Sequence, residues 1–244
     1  MAQEEKQQVK SKQRVVDRGE VFTAEREVNA MLDLVKQETE RIDSRFLEPA
    51  CGDGNFLAEI LRRKLDVVER NYKRSQADYE KYAVLALMSM YGVDIMQDNV
   101  EECRERLFAI WDERYNKLYK STRKKVQAVA KYILSKNIIC GNALSMMEVD
   151  GNGKDIEGHY VIFSEWSFVM GNSVKRRDFR LDQLLDGSNG VNRNFGTDFE
   201  YDKETNTFIP LPIKEYPITD YLNLPNVEDY VPEEEEEPEQ LSFF

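Results

Sequence analysis

The chain has 244 residues and a formal net charge of −12, from 34 basic and 46 acidic side chains. Its 41% hydrophobic content is enough for a globular core, and its length suits one sizeable α/β domain, with or without an appendage. No apolar run approaches the length of a membrane span, so a membrane-embedded protein is excluded.

The cysteine and histidine content limits the kinds of metal, disulfide and catalytic site that the chain can form. Three scattered cysteines (Cys51, Cys103 and Cys140) form no paired motif and predict reduced, mostly buried thiols. The single histidine, His159, gives poor support to metal chemistry or to Ser–His–Asp catalysis, and we predict no metal site. The polar N-terminus has no signal-peptide hydrophobic region, which predicts a cytoplasmic protein.

The charge is unevenly distributed along the chain. Five consecutive glutamates run from Glu233 to Glu237, whereas basic clusters lie at Arg62–Lys64, Arg123–Lys125 and Lys175–Arg177. Each basic cluster also fits an ordinary solvated helix face. The overall acidity therefore weakens the case for independent DNA binding without removing it.

The N-terminal half predicts helices around a first strand. Residues 1–17 are polar and predict a flexible lead-in. Apolar side chains at helical spacing predict a helix from Glu25 to about Ile42, with Thr23 as a plausible N-cap. Phe46-Leu47 predicts the first strand, and a helix follows from about Asn55 through Val68.

Strands and helices then alternate. A long helix is predicted from Asn71 to Met90, and further helices at Gln97–Leu118 and Thr122–Leu134. The second, third and fourth strands are predicted at Tyr91–Ile95, Asn137–Cys140 and His159–Phe163. This alternation predicts an α/β fold of Rossmann type, with a mostly parallel sheet.

Regular alternation ends after Phe163. Residues 164–230 predict an irregular segment with one short helix at Arg180–Leu185 and a possible hairpin across Asp202–Asn206. Residues 231–244 predict an acidic disordered tail.

The run from Phe46 to Phe56, FLEPACGDGNF, combines a strand, a glycine-rich turn and a helix start. That order lets a backbone approach a nucleotide ligand and presents free helix N–H groups. The run resembles motif I of S-adenosylmethionine (SAM)-dependent DNA methyltransferases, especially the adenine-modifying, restriction-modification type. The resemblance covers residues 18–163 and implies bacterial or phage origin. It places these motif I residues at the cofactor: Glu48, Ala50, Gly52, Asp53, Gly54 and Asn55.

Three further segments resemble the family's cofactor motifs in the expected order. Thr23, in Arg18–Thr23, stands where the family has Phe-Thr-Pro, with Ala24 in place of the proline. Asp94, followed by Ile95, resembles the acid that accepts hydrogen bonds from the ribose hydroxyls. Asn142, followed by Ala143, stands where the family usually has the aspartate that contacts adenine. Asp94 equally fits a helix cap.

The resemblance breaks after the fourth strand. Family members carry Asn/Asp-Pro-Pro-Tyr/Phe there, which holds and stacks on the flipped base. This chain has Ser164, Glu165 and Trp166 instead: Ser164 or Glu165 would accept from the amine and Trp166 would stack. The alternative is that Trp166 covers the end of the sheet and Glu165 is a solvated or capping acid.

The predicted sheet also stops short of the family's seven strands and shows no target-recognition region. A parallel sheet that ends at its fourth strand leaves an edge and a face uncovered. We therefore expect the C-terminal segment or another chain to cover them, and favour a homodimer or a partner subunit.

The last five residues, Gln240, Leu241, Ser242, Phe243 and Phe244, follow the acidic run. They resemble the short motif with which bacterial proteins bind the sliding clamp, although folding back onto the domain is an alternative.

These features lead to two hypotheses. The first is a SAM-dependent DNA adenine methyltransferase, or the cofactor-binding subunit of one. The second is a non-catalytic SAM-binding protein that acts through a partner such as the clamp. RNA and protein remain alternative methyl acceptors.

Overall fold

A computed structural model describes residues 10, 14, 23–185, 199–202 and 207–227 of the protein. Most of the predicted lead-in, the segment Arg18–Phe22 and the C-terminal tail with Gln240–Phe244 lie outside the described residues.

The first sheet has five strands in the order β1-β2-β3-β4-β5. Three of them are parallel: β1 (Phe46–Glu48), β2 (Met90–Asp94) and β3 (Ile138–Asn142). The short strand β4 (Met147–Val149) and β5 (Asp155–Tyr160) complete the sheet as antiparallel neighbours. The predicted α/β fold with a mostly parallel sheet is confirmed, but β4 and the reversal of direction were not predicted.

Six helices precede or connect these parallel strands in the described chain. They are α1 (Glu25–Asp33), α2 (Lys36–Thr39), α3 (Asn55–Tyr72), α4 (Gln76–Met88), α5 (Gln97–Leu118) and α6 (Lys124–Asn137). The single helix predicted from Glu25 is divided, because Val35 leaves helical geometry at φ −119° and ψ 31°. The long helix predicted from Asn71 is also divided, since Ser75 caps a new helix by accepting from Asp78 N at 3.3 Å. No described helix is both long and apolar enough to cross a membrane.

The helices pack on one face of the parallel strands. Met90 of β2 and Ile138 of β3 join the buried side chains of α3–α6 in the main core. Tyr91 and Val93 of β2 point to the opposite face, because successive side chains of a strand alternate between the two faces of the sheet. There they form a smaller cluster with Val161, Phe163 and Leu181.

A second, antiparallel sheet follows. The predicted fourth strand is interrupted, because Tyr160 ends β5 and Ile162 begins β6 (Ile162–Met170). Strand β6 pairs along its length with β7 (Ser173–Arg180), and two short strands, β10 (Lys214–Glu215) and β11 (Thr219–Asp220), add to β7. The segment predicted to be irregular thus contains a long hairpin.

The remaining described elements are short. Helix α7 (Leu181–Leu185) lies within the predicted Arg180–Leu185 helix, and a 3₁₀ helix spans Tyr221–Asn226. Strands β8 (Phe199–Asp202) and β9 (Thr207–Pro210) pair antiparallel, which confirms the predicted hairpin; its turn lies outside the described residues.

Candidate functional site

The carboxyl ends of three parallel strands bring three predicted residues to one edge. Glu48 ends β1, Asp94 ends β2 and Asn142 ends β3. Strand pairing places Asp94 beside Cys140, two residues before Asn142. Ligands of open parallel sheets bind at this kind of edge, outside the carboxyl ends of the strands.

The turn between β1 and α3 follows from its glycines. Gly52 and Gly54 have φ of 52° and 86°, the left-handed region that disfavours other residues. An alanine Cβ at Gly54 would lie 2.7 Å from Cys103 Sγ. Cys51 N donates to Val93 O at 2.9 Å, and this bond ties the turn to β2. Backbone conformation and close packing therefore both require glycine at position 54.

Asp94 holds this turn from the neighbouring strand. Its Oδ2 accepts from Gly52 N at 2.9 Å, and its Oδ1 accepts from Met96 N at 2.9 Å and from Asn99 Nδ2 at 3.1 Å. A carboxylate offers about four lone-pair sites, so three donors leave one on Oδ2. The side chain can brace the turn and still accept one further hydrogen bond from a ligand.

Asp53, Asn55 and Thr23 meet around Arg106 of α5. Arg106 Nη1 donates to Asn55 Oδ1 at 2.6 Å and lies 3.4 Å from Asp53 Oδ1. Asn55 Nδ2 donates in turn to the carbonyl of Thr23 at 3.1 Å. The Asp53 side chain is buried against Arg106.

Glu48 offers a half-buried carboxylate at the same edge. Burial raises the pKa of Glu48, and the hydrogen bond from the Ala50 backbone opposes that rise. Ala50 itself is exposed beside the turn. A partly desolvated carboxylate attracts a cationic ligand group more strongly than a fully hydrated one does.

Asn142 is fixed by two hydrogen bonds. Its Nδ2 donates to Asp155 Oδ1 at 2.9 Å, and its Oδ1 accepts from Leu144 N at 3.0 Å. Ala143 packs against the smaller apolar cluster, and the Ile95 carbonyl faces Cys140 Sγ at 3.8 Å. Together these residues form a half-buried wall beside Asp94.

Ser164, Glu165 and Trp166 lie at the other end of the strands. The Ser164 carbonyl accepts from Tyr91 OH at 3.0 Å, near the start of β2. Glu165 pairs with Arg45, directly before β1, at 2.7 Å. Trp166 Nε1 donates to Asn137 Oδ1, directly before β3, at 2.9 Å. The structure does not bring these three residues to the edge of Glu48, Asp94 and Asn142.

The Ser164 side chain belongs to a buried network of hydrogen bonds. Its Oγ donates to Asp178 Oδ1 at 2.7 Å, and Arg176 Nε donates to both side chains at 3.0 and 2.9 Å. Tyr216 OH donates to Asp178 Oδ2 at 2.9 Å. Because Ser164 is 2% exposed and Trp166 4% exposed, neither presents a surface to a base.

Glu165 is held by two guanidinium groups. Burial alone would raise its pKa, but the hydrogen bonds and charges of Arg45 and Arg177 hold the pKa of Glu165 below its usual value. The predicted amine-accepting and stacking roles of Ser164, Glu165 and Trp166 are therefore not supported by this arrangement, whose contacts join the two sheets.

Two of the three basic clusters are largely neutralised within the described chain. Arg63 contacts Asp33 and Glu59, Lys64 is fully buried, and Arg123 pairs with Glu80. The third cluster is likewise paired: Lys175 with Glu215, Arg176 with Asp178 and Arg177 with Glu165. The first and third clusters are therefore largely buried or paired, whereas Lys124 and Lys125 of the second cluster are exposed.

Residues of α5 that the sequence did not single out complete the site. Arg106 and Asn99 reach the turn and Asp94, and both depend on how α5 lies against the sheet. Asn99 lies four residues before the buried Cys103 and Arg106 three residues after it, so both lie near the face of α5 that packs on the sheet. This spacing is the sequence feature that could have predicted them.

Residues 22–174 match the family model described as "MmeI, DNA-methyltransferase domain". The matched segment contains the whole edge formed by Glu48, Asp94 and Asn142, together with β6 and the first two residues of β7. No curated protein and no solved structure matches the chain.

Proposed function

This chain belongs to the MmeI DNA-methyltransferase domain family, and we propose that it binds SAM for methylation of an adenine amino group in DNA. The observation that carries the proposal is the Gly52–Gly54 turn, which Asp94 braces at the carboxyl edge of the parallel strands. This combination places a glycine backbone and a carboxylate at the same edge of the sheet, and an adenosine ligand needs both groups.

The residues present suit that cofactor. The glycine turn admits close backbone approach, Asp94 keeps a lone pair for a ribose hydroxyl, and Glu48 offers negative charge to the methionine amino and sulfonium groups. Ile95, Asn142 and Ala143 would border the adenine. The cofactor supplies the transferable methyl group, and the chain's part at this edge is to hold and orient it.

Calorimetric titration of the full chain with SAM and S-adenosylhomocysteine tests the proposal. Asp94→Ala should weaken binding by about 1–3 kcal/mol, because it removes a ribose acceptor together with the brace on Gly52. Asp66→Ala is the matched control, since it removes the same charge from a half-exposed position paired with Arg114. Absence of binding by the wild-type chain would overturn the assignment.

The positions of Ser164, Glu165 and Trp166 favour a second candidate function, that of a cofactor-binding subunit. Because their contacts lie at the amino ends of the strands, we propose that a partner subunit contributes the groups that hold the target base. Among the described strands, β1 pairs with β2 alone, and we propose that such a subunit adds at its outer edge. A cavity of about 340 Å³ lies beside that edge, with an apolar wall that includes Leu47, Phe163 and Leu184.

Methyl transfer from labelled SAM to unmethylated DNA separates the two functions. If the chain is a DNA methyltransferase that needs no partner subunit, it transfers the labelled methyl group to DNA on its own. A cofactor-binding subunit transfers label only after its partner is added, and the non-catalytic alternative transfers none in either case although it binds SAM.

The motif Gln240–Phe244 lies outside the described residues, and we propose that it docks on a sliding clamp. The support is its pattern of glutamine, leucine and two aromatics after a glutamate run. Such docking would bring the chain to newly replicated DNA.

A further inference from the structure

Two basic residues from before the family-matched segment reach the start of α5. Arg14 donates to both carboxylate oxygens of Asp98, with Nη1–Oδ2 at 2.6 Å and Nη2–Oδ1 at 3.0 Å. Lys10 lies 2.8 Å from Glu102 and 3.3 Å from Asp98. The Arg14 and Lys10 side chains are only 20% and 23% exposed, so this is a packed contact.

Asn99 connects this contact to the candidate cofactor edge. Its Oδ1 accepts from Lys10 Nζ at 2.8 Å and from Arg14 Nη2 at 3.3 Å, while its Nδ2 donates to Asp94 Oδ1 at 3.1 Å. The two cations fix the orientation of the amide, because a flipped amide would turn its NH₂ group toward them. Asn99 is 1% exposed, so it has little room to reorient.

The chain of contacts then continues to the turn. Asp94 Oδ2 accepts from Gly52 N, so the orientation of this carboxylate and the position of the turn depend on each other. The hydrogen bonds and charges of Arg14 and Lys10 lower the pKa of Asp98 to about 2, against the opposing effect of burial. Asp98 is therefore a permanent anion that keeps both cations in place at neutral pH.

We propose that Lys10 and Arg14 are positioning residues for the cofactor: through Asn99 they orient the Asp94 carboxylate and hold the Gly52 turn in its binding-competent form. The inference rests on the proposed function, since the ligand concerned is the adenosine cofactor. Because ionic contacts between partly exposed groups weaken with salt, cofactor affinity should depend on ionic strength through these two residues.

The test compares variants of the full chain by calorimetric titration with S-adenosylhomocysteine, whose zwitterionic amino acid end carries no net charge. Arg14→Gln and the double variant Lys10→Gln/Arg14→Gln should weaken affinity by about 3-fold and 10-fold, in line with charge-assisted hydrogen bonds that are partly exposed. Arg41→Gln is the matched control, because Arg41 makes an exposed ion pair with Glu38 on another surface. It should leave affinity unchanged.

Two further measurements distinguish positioning from general stabilisation. The wild-type affinity should fall between 50 and 500 mM NaCl by less than the factor lost in the double variant, because partly buried ion pairs are only partly screened, and the double variant should show a weaker salt dependence than the wild type. Asn99→Ala should remove the effect of Arg14→Gln, so that the two changes together cost no more than Asn99→Ala alone. Melting temperatures, recorded in parallel, check that each variant is folded under the titration conditions.

The outcomes separate this inference from the proposed function. If the wild type binds and both Arg14→Gln and the double variant bind equally well, the positioning role is overturned and the cofactor site stands. If the wild type does not bind, the proposed function falls and the inference falls with it. Should Arg14→Gln fail to fold, Lys10→Gln decides, and an affinity equal to that of the wild type overturns the inference.

Discussion

Replacing Gly54 with alanine probes the turn that supports the candidate site. Gly54 has φ of 86°, and a Cβ built on it would lie 2.7 Å from Cys103 Sγ and 3.5 Å from Cys103 Cβ. The sulfur belongs to a buried residue of α5, so it cannot turn toward solvent. The substitution therefore combines backbone strain with an overlap in the core.

The two effects have separate magnitudes. Left-handed backbone costs a non-glycine residue about 1–2 kcal/mol, and overpacking of a rigid core costs about 1–3 kcal/mol. Gly54→Ala should therefore lower the free energy of unfolding by about 2–5 kcal/mol, a large part of a domain's usual 5–15 kcal/mol. Cys103→Ala removes the sulfur and leaves only the ordinary 3.5 Å contact. In the double variant the overlap should be relieved, whereas the backbone strain should remain.

Urea denaturation followed by circular dichroism measures these free energies, and titration with S-adenosylhomocysteine measures the site. Gly151→Ala is the matched control, because a Cβ there meets nothing within 4 Å. A double-mutant cycle should show favourable coupling of about 1–3 kcal/mol between Gly54→Ala and Cys103→Ala. Strict additivity, or a Gly54→Ala variant as stable as Gly151→Ala, would refute the reasoning.

Three further predictions concern other parts of the chain. Burial lowers the pKa of Lys64 to about 7. Between about pH 7 and 10.5 the folded protein therefore binds fewer protons than the unfolded chain, and its free energy of unfolding should rise with pH across that window. Urea denaturation midpoints should show a smaller rise in Lys64→Met. Trp166→Phe removes the 2.9 Å bond to Asn137 and should lower the free energy of unfolding by about 1–3 kcal/mol in the same assay while S-adenosylhomocysteine affinity stays unchanged; a loss of methyl transfer without a loss of stability would contradict the structural role. A peptide of residues 232–244 should bind a sliding clamp with a dissociation constant of roughly micromolar order in fluorescence anisotropy, and Leu241→Ala with Phe243→Ala should abolish that binding, whereas deletion of the tail should not unfold the domain.

The glycine turn was predictable because its requirement is local. Two glycines, a preceding strand and a following helix stand within eleven residues, and the structure places φ of 52° and 86° at Gly52 and Gly54. The brace from Asp94 was not predictable in the same way. It depends on the pairing of β1 with β2, which brings together residues that are 42 positions apart.

The β6–β7 hairpin was missed because two of the alternately buried positions of β7 carry charged side chains. Alternate residues of β7 are buried, but they are Val174, Arg176 and Asp178, and a period of two in apolar residues does not appear. The run Lys175–Arg177 instead gave the pattern of a solvated basic face. Side chains of a strand alternate between its two faces, so Arg176 turns into the network of Ser164 while Arg177 pairs with Glu165.

The position of the predicted base-contacting residues depends on the direction of β6. Val161 lies at the carboxyl side of the sheet, since a Cβ on Gly141 of β3 would be 2.6 Å from Val161 Cγ2. From there the chain crosses the second face toward the amino ends of the strands, where Glu165 meets Arg45 and Trp166 meets Asn137. Three residues that follow a predicted strand were expected at its carboxyl edge, but the break at Val161 turns the chain away from that edge.

That change of direction affects how the proposed methyl transfer could occur. The proposed cofactor edge carries Glu48, Asp94 and Asn142, whereas the contacts of residues 164–166 join the two sheets. We therefore propose that cofactor binding and base binding depend on different groups. The proposed division of roles therefore predicts that the chain alone binds SAM and that methyl transfer begins only after a partner subunit is added.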